Sequence, residues 1–503
     1  MQIPGLYRYL TSVTHDNTPV QVGQGTDGKL YYNLLLIDPN TEIGTWSESK
    51  ALRFPTQLRP LDGDISTYTP VFSPSDPPPQ VISDGNYLYV FRLSPNKAVY
   101  CDRFVIDVVN ALLNQPFDVR LRSDNTYGHT DLDGNPYYEP TIELTGISNI
   151  ANGWFTVIRI PSSRPGVSRW QFFVYEGGNS IRAVSIRCAS DGLFDTADIQ
   201  TAYAPYGNDG KPGPIRPLAV PGVIDFGFGL DCGVCSNLAA AKFTEHEAVT
   251  DPAHPSNPPQ ILRTGSHVML AFRSGKNDSM AVLDFEVGRD GGIAKCPGSF
   301  SLPLLTPSNG DMQPIAKDSN ALLVYGGLLD FARTPDTPFV LDSGDGFVHL
   351  FFRDENSRFV SAFYDTTDYR WVTRTSPNAA QVRNMGDWVG EAVKTAVRGS
   401  EVLFLGAGRN PSYVVWQYDP LVTGDLSGDR NPFPVFPGES VIPGYWSGVF
   451  DSAEEEGFTG VCTLEDRRVL FFQNSGTGHY EVWRYDETTP AGARDGREIA
   501  IYP

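Results

Sequence analysis

Two clusters in this chain have the residue types and spacing that metal chemistry needs. The first is Asp131-Leu132-Asp133-Gly134-Asn135 with Glu139 downstream. Its side-chain oxygens fall at alternating positions, as a hard cation such as calcium requires. The stretch departs from an EF-hand loop: its glycine comes at the fourth place instead of the sixth, and no acid stands at the twelfth. A solvated turn, in which Asp and Asn bond their own backbone, accounts for the same residues and is the preferred reading. Asp425, Ser427, Asp429 and Asn431 form a similar group with the same competing explanation.

The second cluster pairs Cys232 and Cys235, the one Cys-x-x-Cys in the chain, with His246 and His254. Thiolates and imidazoles in that order suit tetrahedral zinc, although a zinc finger wants three to five residues between its histidines and here there are seven. A redox pair would need a helix N-terminus in a βαβ setting, where the first thiolate is stabilised. A helix is expected over 236–248, with Ser236 as its N-cap before Leu238-Ala239-Ala240-Ala241. Its βαβ surroundings are missing, so a local disulfide or two free thiols is the simpler expectation.

Other catalytic signatures are absent from the chain. There is no Gly-x-Ser-x-Gly elbow for a hydrolase nucleophile and no Gly-x-x-x-x-Gly-Lys-Ser/Thr loop for phosphates. His267 and His349 sit inside apolar strands and read as packed or edge residues, not bases. Asp107, Asp365, Asp419 and Asp486 recur at equivalent places in a repeated pattern, which suits turns at strand ends better than catalysis. Tyr364, Tyr418 and Tyr485 recur beside them as expected core residues.

The elements that would position these residues are strands. A turn with Gly, Asp or Asn leads into an aromatic and aliphatic run, then a short polar turn, then a second run that often ends in a carboxylate. Clear copies run from Tyr87 to Leu93 with Ala98 to Asp107, Gly265 to Arg273 with Ser279 to Glu286, and Phe347 to Arg353 with Arg358 to Asp365. Glu401 to Leu405 with Tyr413 to Asp419, and Arg468 to Asn474 with Tyr480 to Asp486, follow. Weaker copies lie at Lys29 to Asp38 and Trp170 to Cys188. Such runs, rich in β-branched and aromatic residues and bounded by turn formers, are hairpins.

Their ends recur roughly every 75 residues, room for one four-stranded unit of roughly 40–45 residues plus loops. A lone hairpin cannot cover its apolar face, and repetition about an axis covers each sheet with the next. The expected fold is therefore all-β: a single β-propeller over 1–503, of about seven four-stranded blades. Two long loop insertions are expected, about 116–145 and 191–259. Two consecutive β-sandwiches are the competing arrangement, disfavoured by the longer period.

Composition narrows the partners. With 503 residues, 40% hydrophobic, the chain can bury a large core. Its net charge of −20 repels phosphate backbones and anionic lipid, so nucleic acid and membrane surfaces are poor partners. No apolar run reaches bilayer length; Ala321 to Ala332 is broken by Gly326, Gly327 and Asp330. No signal peptide is visible at the start, which points to the cytoplasm, to signal-independent export or to a piece of a longer chain. Six cysteines are too few for a disulfide framework.

The repeated hairpins resemble those of bacterial β-propellers of the lectin, adhesin and toxin-associated kind. Ser343-Gly344-Asp345-Gly346-Phe347 comes near the Asp-box of sialidase-like propellers, but its glycine is one residue early and the tryptophan is missing. The absence of catalytic motifs beside a repeated scaffold points to a non-catalytic recognition or structural propeller that binds a glycan or protein partner, by itself or as a module of a larger extracellular or toxin-like assembly. No cofactor is expected, with calcium at the Asp131 group as the alternative. The alternative is a propeller glycoside hydrolase or lyase with two acids about 5–9.5 Å apart at the channel mouth.

Overall fold

Alternation of apolar and polar residues, cut by Gly, Asn and Asp, produces short strands throughout. The computed structural model describes residues 2–3, 7–15, 18–37, 44–55, 59–60, 67–68, 72, 77, 79–84, 87–93, 97–109, 118–123, 137–138, 142–143, 149–161, 168–188, 224–249, 260–288, 292–293, 298–306, 309–316, 324–335, 337–342, 347–355, 358–366, 369–371, 382–388, 394–398, 401–407, 413–419, 445–452, 458–463, 469–474, 480–485 and 499–501. Side chains are described only between 13 and 371. Among the described residues the chain is almost entirely β, and its one helical turn is a 3-10 element at Ala151–Gly153.

Among the described residues, seven sheets of four to six strands follow one another along the chain, beside two sheets of two strands. Sheet 1 contains Tyr7–His15, Thr18–Gly25 and Leu30–Ile37, edged by Gly44–Trp46 and Lys50–Ala51. Sheet 2 contains Gln80–Ser83, Leu88–Leu93, Val99–Val109 and Asp118–Ser123. Sheet 3 is built from Phe155–Pro161, Ser168–Gly177, Ser180–Cys188 and Ile224–Leu230. Sheet 4 has Ala239–Val249, Gln260–Arg273, Ser279–Val287 and Val324–Arg333. Sheet 5 has Phe339–Asp342, Phe347–Arg353 and Arg358–Asp365, with Arg370–Trp371 and Val382–Trp388 on its outer edge. Sheet 6 holds Lys394–Arg398, Glu401–Ala407, Tyr413–Asp419 and Tyr445–Ser452. Sheet 7 holds Phe458–Thr463, Val469–Asn474 and Tyr480–Tyr485; both Gln2–Ile3 and Ile499–Ile501 pair with the last of these.

The hairpins expected from sequence are the second and third strands of these sheets. Phe347–Arg353 and Arg358–Asp365 fall on the expected boundaries, in the register Phe347↔Asp365 to Arg353↔Phe359. The helix expected over 236–248 is instead the strand Ala239–Val249, paired with Gln260–Arg273 from Ala239↔Ala271 to Val249↔Gln260. Pairing along the whole strand and burial of Phe243 (1% exposed) outweigh the helix propensity of three alanines. Ser236 caps nothing helical: its Oγ accepts the backbone N–H of Arg273 at 2.9 Å. The two expected insertions also carry strands. Asp118–Ser123 lies in the first, and Ile224–Leu230 and Ala239–Val249 lie in the second.

Sheet 4 presents opposite faces to sheets 3 and 5, because successive side chains on a strand alternate. From sheet 4, Val268, Leu270, Phe272, Ala281, Leu283 and Phe285 enter one core cluster with sheet 3. Met269, Ala271, Met280 and Val282 enter another with Val348, Leu350, Tyr364 and Trp371 of sheet 5. Sheets 2 and 3 close over Tyr89, Phe91, Trp170 and Phe172, with Tyr89 and Trp170 ring centroids 4.9 Å apart.

Candidate functional site

The densest chemistry among the described side chains lies in the seam between sheets 4 and 5. On the third strand of sheet 4, Asp284 follows Met280 and Val282 at the same phase and so points into the core toward sheet 5. His267 Nδ1 lies 2.7 Å from Asp284 Oδ1, and the Tyr364 hydroxyl donates to Asp284 Oδ2 at 3.1 Å. A carboxylate only accepts, so the His267 Nδ1 carries the proton on that side. Phe243 stacks on His267 with centroids 5.2 Å apart, and Tyr325 stacks on Tyr369 at 4.6 Å. Burial, reinforced by the Asp284 charge, holds the Tyr364 phenol well above its ordinary value of 10.0.

An imidazole oriented by a carboxylate is the arrangement a general base uses. Access decides against that role here. Asp284 and Tyr364 are 0% exposed and His267 3%, so a substrate cannot reach them. The network instead joins two strands of sheet 4 to the third strand of sheet 5, and it satisfies a carboxylate that would otherwise be costly to bury.

The seams of sheets 1, 2 and 3 use polar ties of the same kind nearer the surface. His15 Nδ1 lies 2.8 Å from Ser83 Oγ, linking sheets 1 and 2. Gln80 behaves as an extra rung between sheets 2 and 3: its Nε2 donates to Phe155 O at 2.7 Å and its Oε1 accepts from Val157 N at 3.3 Å. Asp84 accepts the Tyr87 backbone N–H at 2.8 Å and the Tyr89 hydroxyl at 3.2 Å, and pairs with Arg159 at 3.4 Å. Within sheet 2 the buried Arg92 pairs with Asp102 at 3.5 Å and lies 4.8 Å over the Tyr100 ring. Arg103 lies 3.9 Å over Tyr87.

The structure separates the zinc-type residues. Cys232 is buried and Cys235 exposed, and both thiols are free. Their loop grips the hairpin turn of sheet 4, with Gly275 N donating to Cys232 O at 2.9 Å and Cys235 N donating to Arg273 O at 2.8 Å. His246 pairs with Arg263 toward the other end of the strand Ala239–Val249. Seven extended residues beyond Ala239 carry its backbone roughly 23 Å from that end, so His246 is not brought to the cysteines. His254 lies outside the described residues. Burial, with Asp231 nearby, pushes the Cys232 thiol up to about 12, and a protonated thiol is a poor ligand and a poor nucleophile.

Asp131, Asp133, Asn135 and Glu139, the calcium-type group, lie outside the described residues, as do Asp425, Ser427, Asp429 and Asn431. Among the described residues no three His, Cys, Asp or Glu side chains are placed to hold a metal. His267 and His349 are both buried, at 3% and 0% exposed, and Tyr364 is a core residue as its place in the repeat suggests. Sequence reasoning missed Asp284, although a carboxylate in phase with Met280 and Val282 was a usable signal. No helix among the described residues is long and apolar enough to cross a membrane.

No family model matches the chain, and no curated protein matches it significantly. Among solved structures it is similar to AofleA from Arthrobotrys oligospora, with TM-score 0.33, 10% identity and coverage of 82% of this chain and 83% of that one. It is also similar to Sqt1 from Chaetomium thermophilum, with TM-score 0.35, 11% identity and coverage of 96% and 97%. Prolyl oligopeptidase B from Galerina marginata aligns with TM-score 0.29, 9% identity and coverage of 85% of this chain and 50% of that one. These TM-scores all lie below one half, and the functional reading rests on the chain's own residues.

Proposed function

We propose that the protein is a non-catalytic recognition scaffold, a single β-propeller of seven blades that binds a glycan or protein partner through loops at one end. The observation that carries this reading is where the reactive side chains are. Asp84, His267, Asp284 and Tyr364 engage one another or neighbouring strands at the seams, and the last three are closed to solvent.

The ring is supported by how the sheets meet. First strands lie side by side between sheets 1 and 2, 3 and 4, 4 and 5, 6 and 7, and 7 and 1. Gln80 joins the first strands of sheets 2 and 3. Contact of the last sheet with the first is what a closed ring requires and an open row of sheets forbids.

Strand direction then sorts the loops. In each sheet the tight turn between second and third strands emerges at one end. The connections between first and second, and between third and fourth, emerge at the other. In sequence, residues 189–223, 288–323 and 420–444 each link a third strand to a fourth. Long connections on a rigid frame are where binding residues concentrate. With a net charge of −20, the partner is a neutral glycan or a protein with a basic surface.

The test is a glycan array together with a pull-down, each captured protein being purified and re-bound in isolation. Saturable binding in either supports the proposal. Clean negatives in both, or hydrolysis of an arrayed glycan, overturn it.

A further inference from the structure

We propose that residues 298–306 and 309–316 form a strap that makes sheets 3, 4 and 5 open and close as one cooperative unit. This segment lies between the third and fourth strands of sheet 4, and it visits the edges of three sheets in turn. Ser299–Phe300 pairs in parallel with Gly229–Leu230, the end of the outer strand of sheet 3. Asp231, just beyond, holds the next two residues: its Oδ2 accepts the Ser301 hydroxyl at 2.5 Å and its Oδ1 accepts Leu302 N at 3.1 Å. Leu304–Leu305 then pairs in parallel with Leu328–Leu329, and Gln313–Ala316 pairs antiparallel along Val324–Gly326, so the outer edge of sheet 4 is covered. Between these, the strap crosses to sheet 5. Met312 N donates to Tyr369 O at 2.7 Å, Trp371 N donates to Gly310 O at 2.8 Å, and Asp311 bridges to Arg370.

Two features show that the neighbours are shaped for the strap. Gly327 sits directly beneath it, where a Cβ would meet Leu305 Cδ1 and Cγ at 2.5 Å; Gly229 does the same for Ser299, whose Oγ would be 2.6 Å away. Tyr369, clamped by Met312, has φ of 52°, a left-handed conformation that a bulky residue adopts only when its surroundings impose it. Phe300, Leu302, Leu305 and Met312 are buried in the two cores that flank sheet 4. Losing the strap therefore uncovers apolar surface on both sides of that sheet at once, which is the physical basis for shared opening.

Native-state hydrogen exchange on the full chain tests this, with Gly327→Ala as the probe because the three atoms nearest its methyl all belong to the strap's Leu305. The variant is expected to speed exchange by about an order of magnitude in Ile224–Leu230, Ser279–Val287 and Arg358–Asp365 together, leaving Leu30–Ile37 and Leu88–Leu93 unchanged. Acceleration confined to 298–306, 309–316 and Val324–Arg333 would overturn the proposal. Should Gly327→Ala fail to fold, Gly229→Ala applies the same pressure at sheet 3, and adding Ser299→Gly should restore wild-type exchange. In the unmodified protein, sheets 3, 4 and 5 should share one opening free energy; three unrelated values would also overturn the proposal.

Discussion

The two faces of sheet 4 seal against their neighbours by different means. Toward sheet 3 the contact is apolar: Phe285 lies 5.4 Å from Phe173 and 5.9 Å from Phe228, centroid to centroid, amid leucine and valine. Toward sheet 5 the same strands add Asp284 and His267, which reach Tyr364. One residue along the strand, from Asp284 to Phe285, changes the chemistry of the seam completely. An apolar seam tolerates any group of suitable size, whereas a buried polar seam holds only while every member keeps its partner.

Substitutions on the two faces should therefore differ in kind. The largest effect is expected for Asp284→Ala, which leaves His267 and Tyr364 buried without their acceptor; urea unfolding should show a loss of about 3–5 kcal/mol. Replacing the three together, Asp284→Leu with His267→Leu and Tyr364→Phe, should recover much of that loss, because an apolar filling can substitute for a buried polar cluster. A triple variant no more stable than Asp284→Ala would show that the two seams are not interchangeable.

Tyr364→Phe should cost about 1–3 kcal/mol, the penalty for a buried acceptor that loses one donor. It also bears on pH. Because the folded Tyr364 binds its proton more tightly than the unfolded chain does, its contribution is whole below about 10 and falls as pH climbs above that value. Cys232 acts in the same direction, from 9.0 toward about 12. The variant Tyr364→Phe with Cys232→Ala should thus have a flatter stability profile above pH 9 than the wild type. An unchanged alkaline limb would place the sensitivity elsewhere.

On the apolar face, Phe285→Leu should cost less than about 1.5 kcal/mol, since volume is nearly conserved and nothing polar is orphaned. The smallest effect is expected at the wet margin of the sheet 2 and 3 seam. Arg159→Gln should change unfolding by about 1 kcal/mol, because the arginine end is partly exposed and the buried Asp84 carboxylate keeps its bonds from Tyr87 and Tyr89. A larger loss there would make the outer ties as important as the buried network.

Much of the fold was legible without coordinates. Phe347–Arg353 and Arg358–Asp365 are short aromatic and aliphatic runs separated by Asp354, Glu355, Asn356 and Ser357, so local rules place both strands. Ala239–Val249 was misread because Ala-Ala-Ala-Lys carries a local helix preference, and the partner that overrides it is another strand. The candidate site was less legible. Cys232, Cys235 and His246 are near neighbours in sequence, yet an extended backbone carries the histidine away. Asp284 and Tyr364, 80 residues apart, meet across a seam.

The amino-acid order by itself determined the hairpins, the two-sided character of every strand and the acidic surface, because period-two alternation, turn chemistry and charge are local or summed properties. Only the tertiary structure decided which face meets which, that Asp284 is closed off from solvent, and that 298–306 and 309–316 lace three sheets together. The reason is that burial and hydrogen-bond partnership depend on residues brought together from distant parts of the chain, which no local pattern specifies.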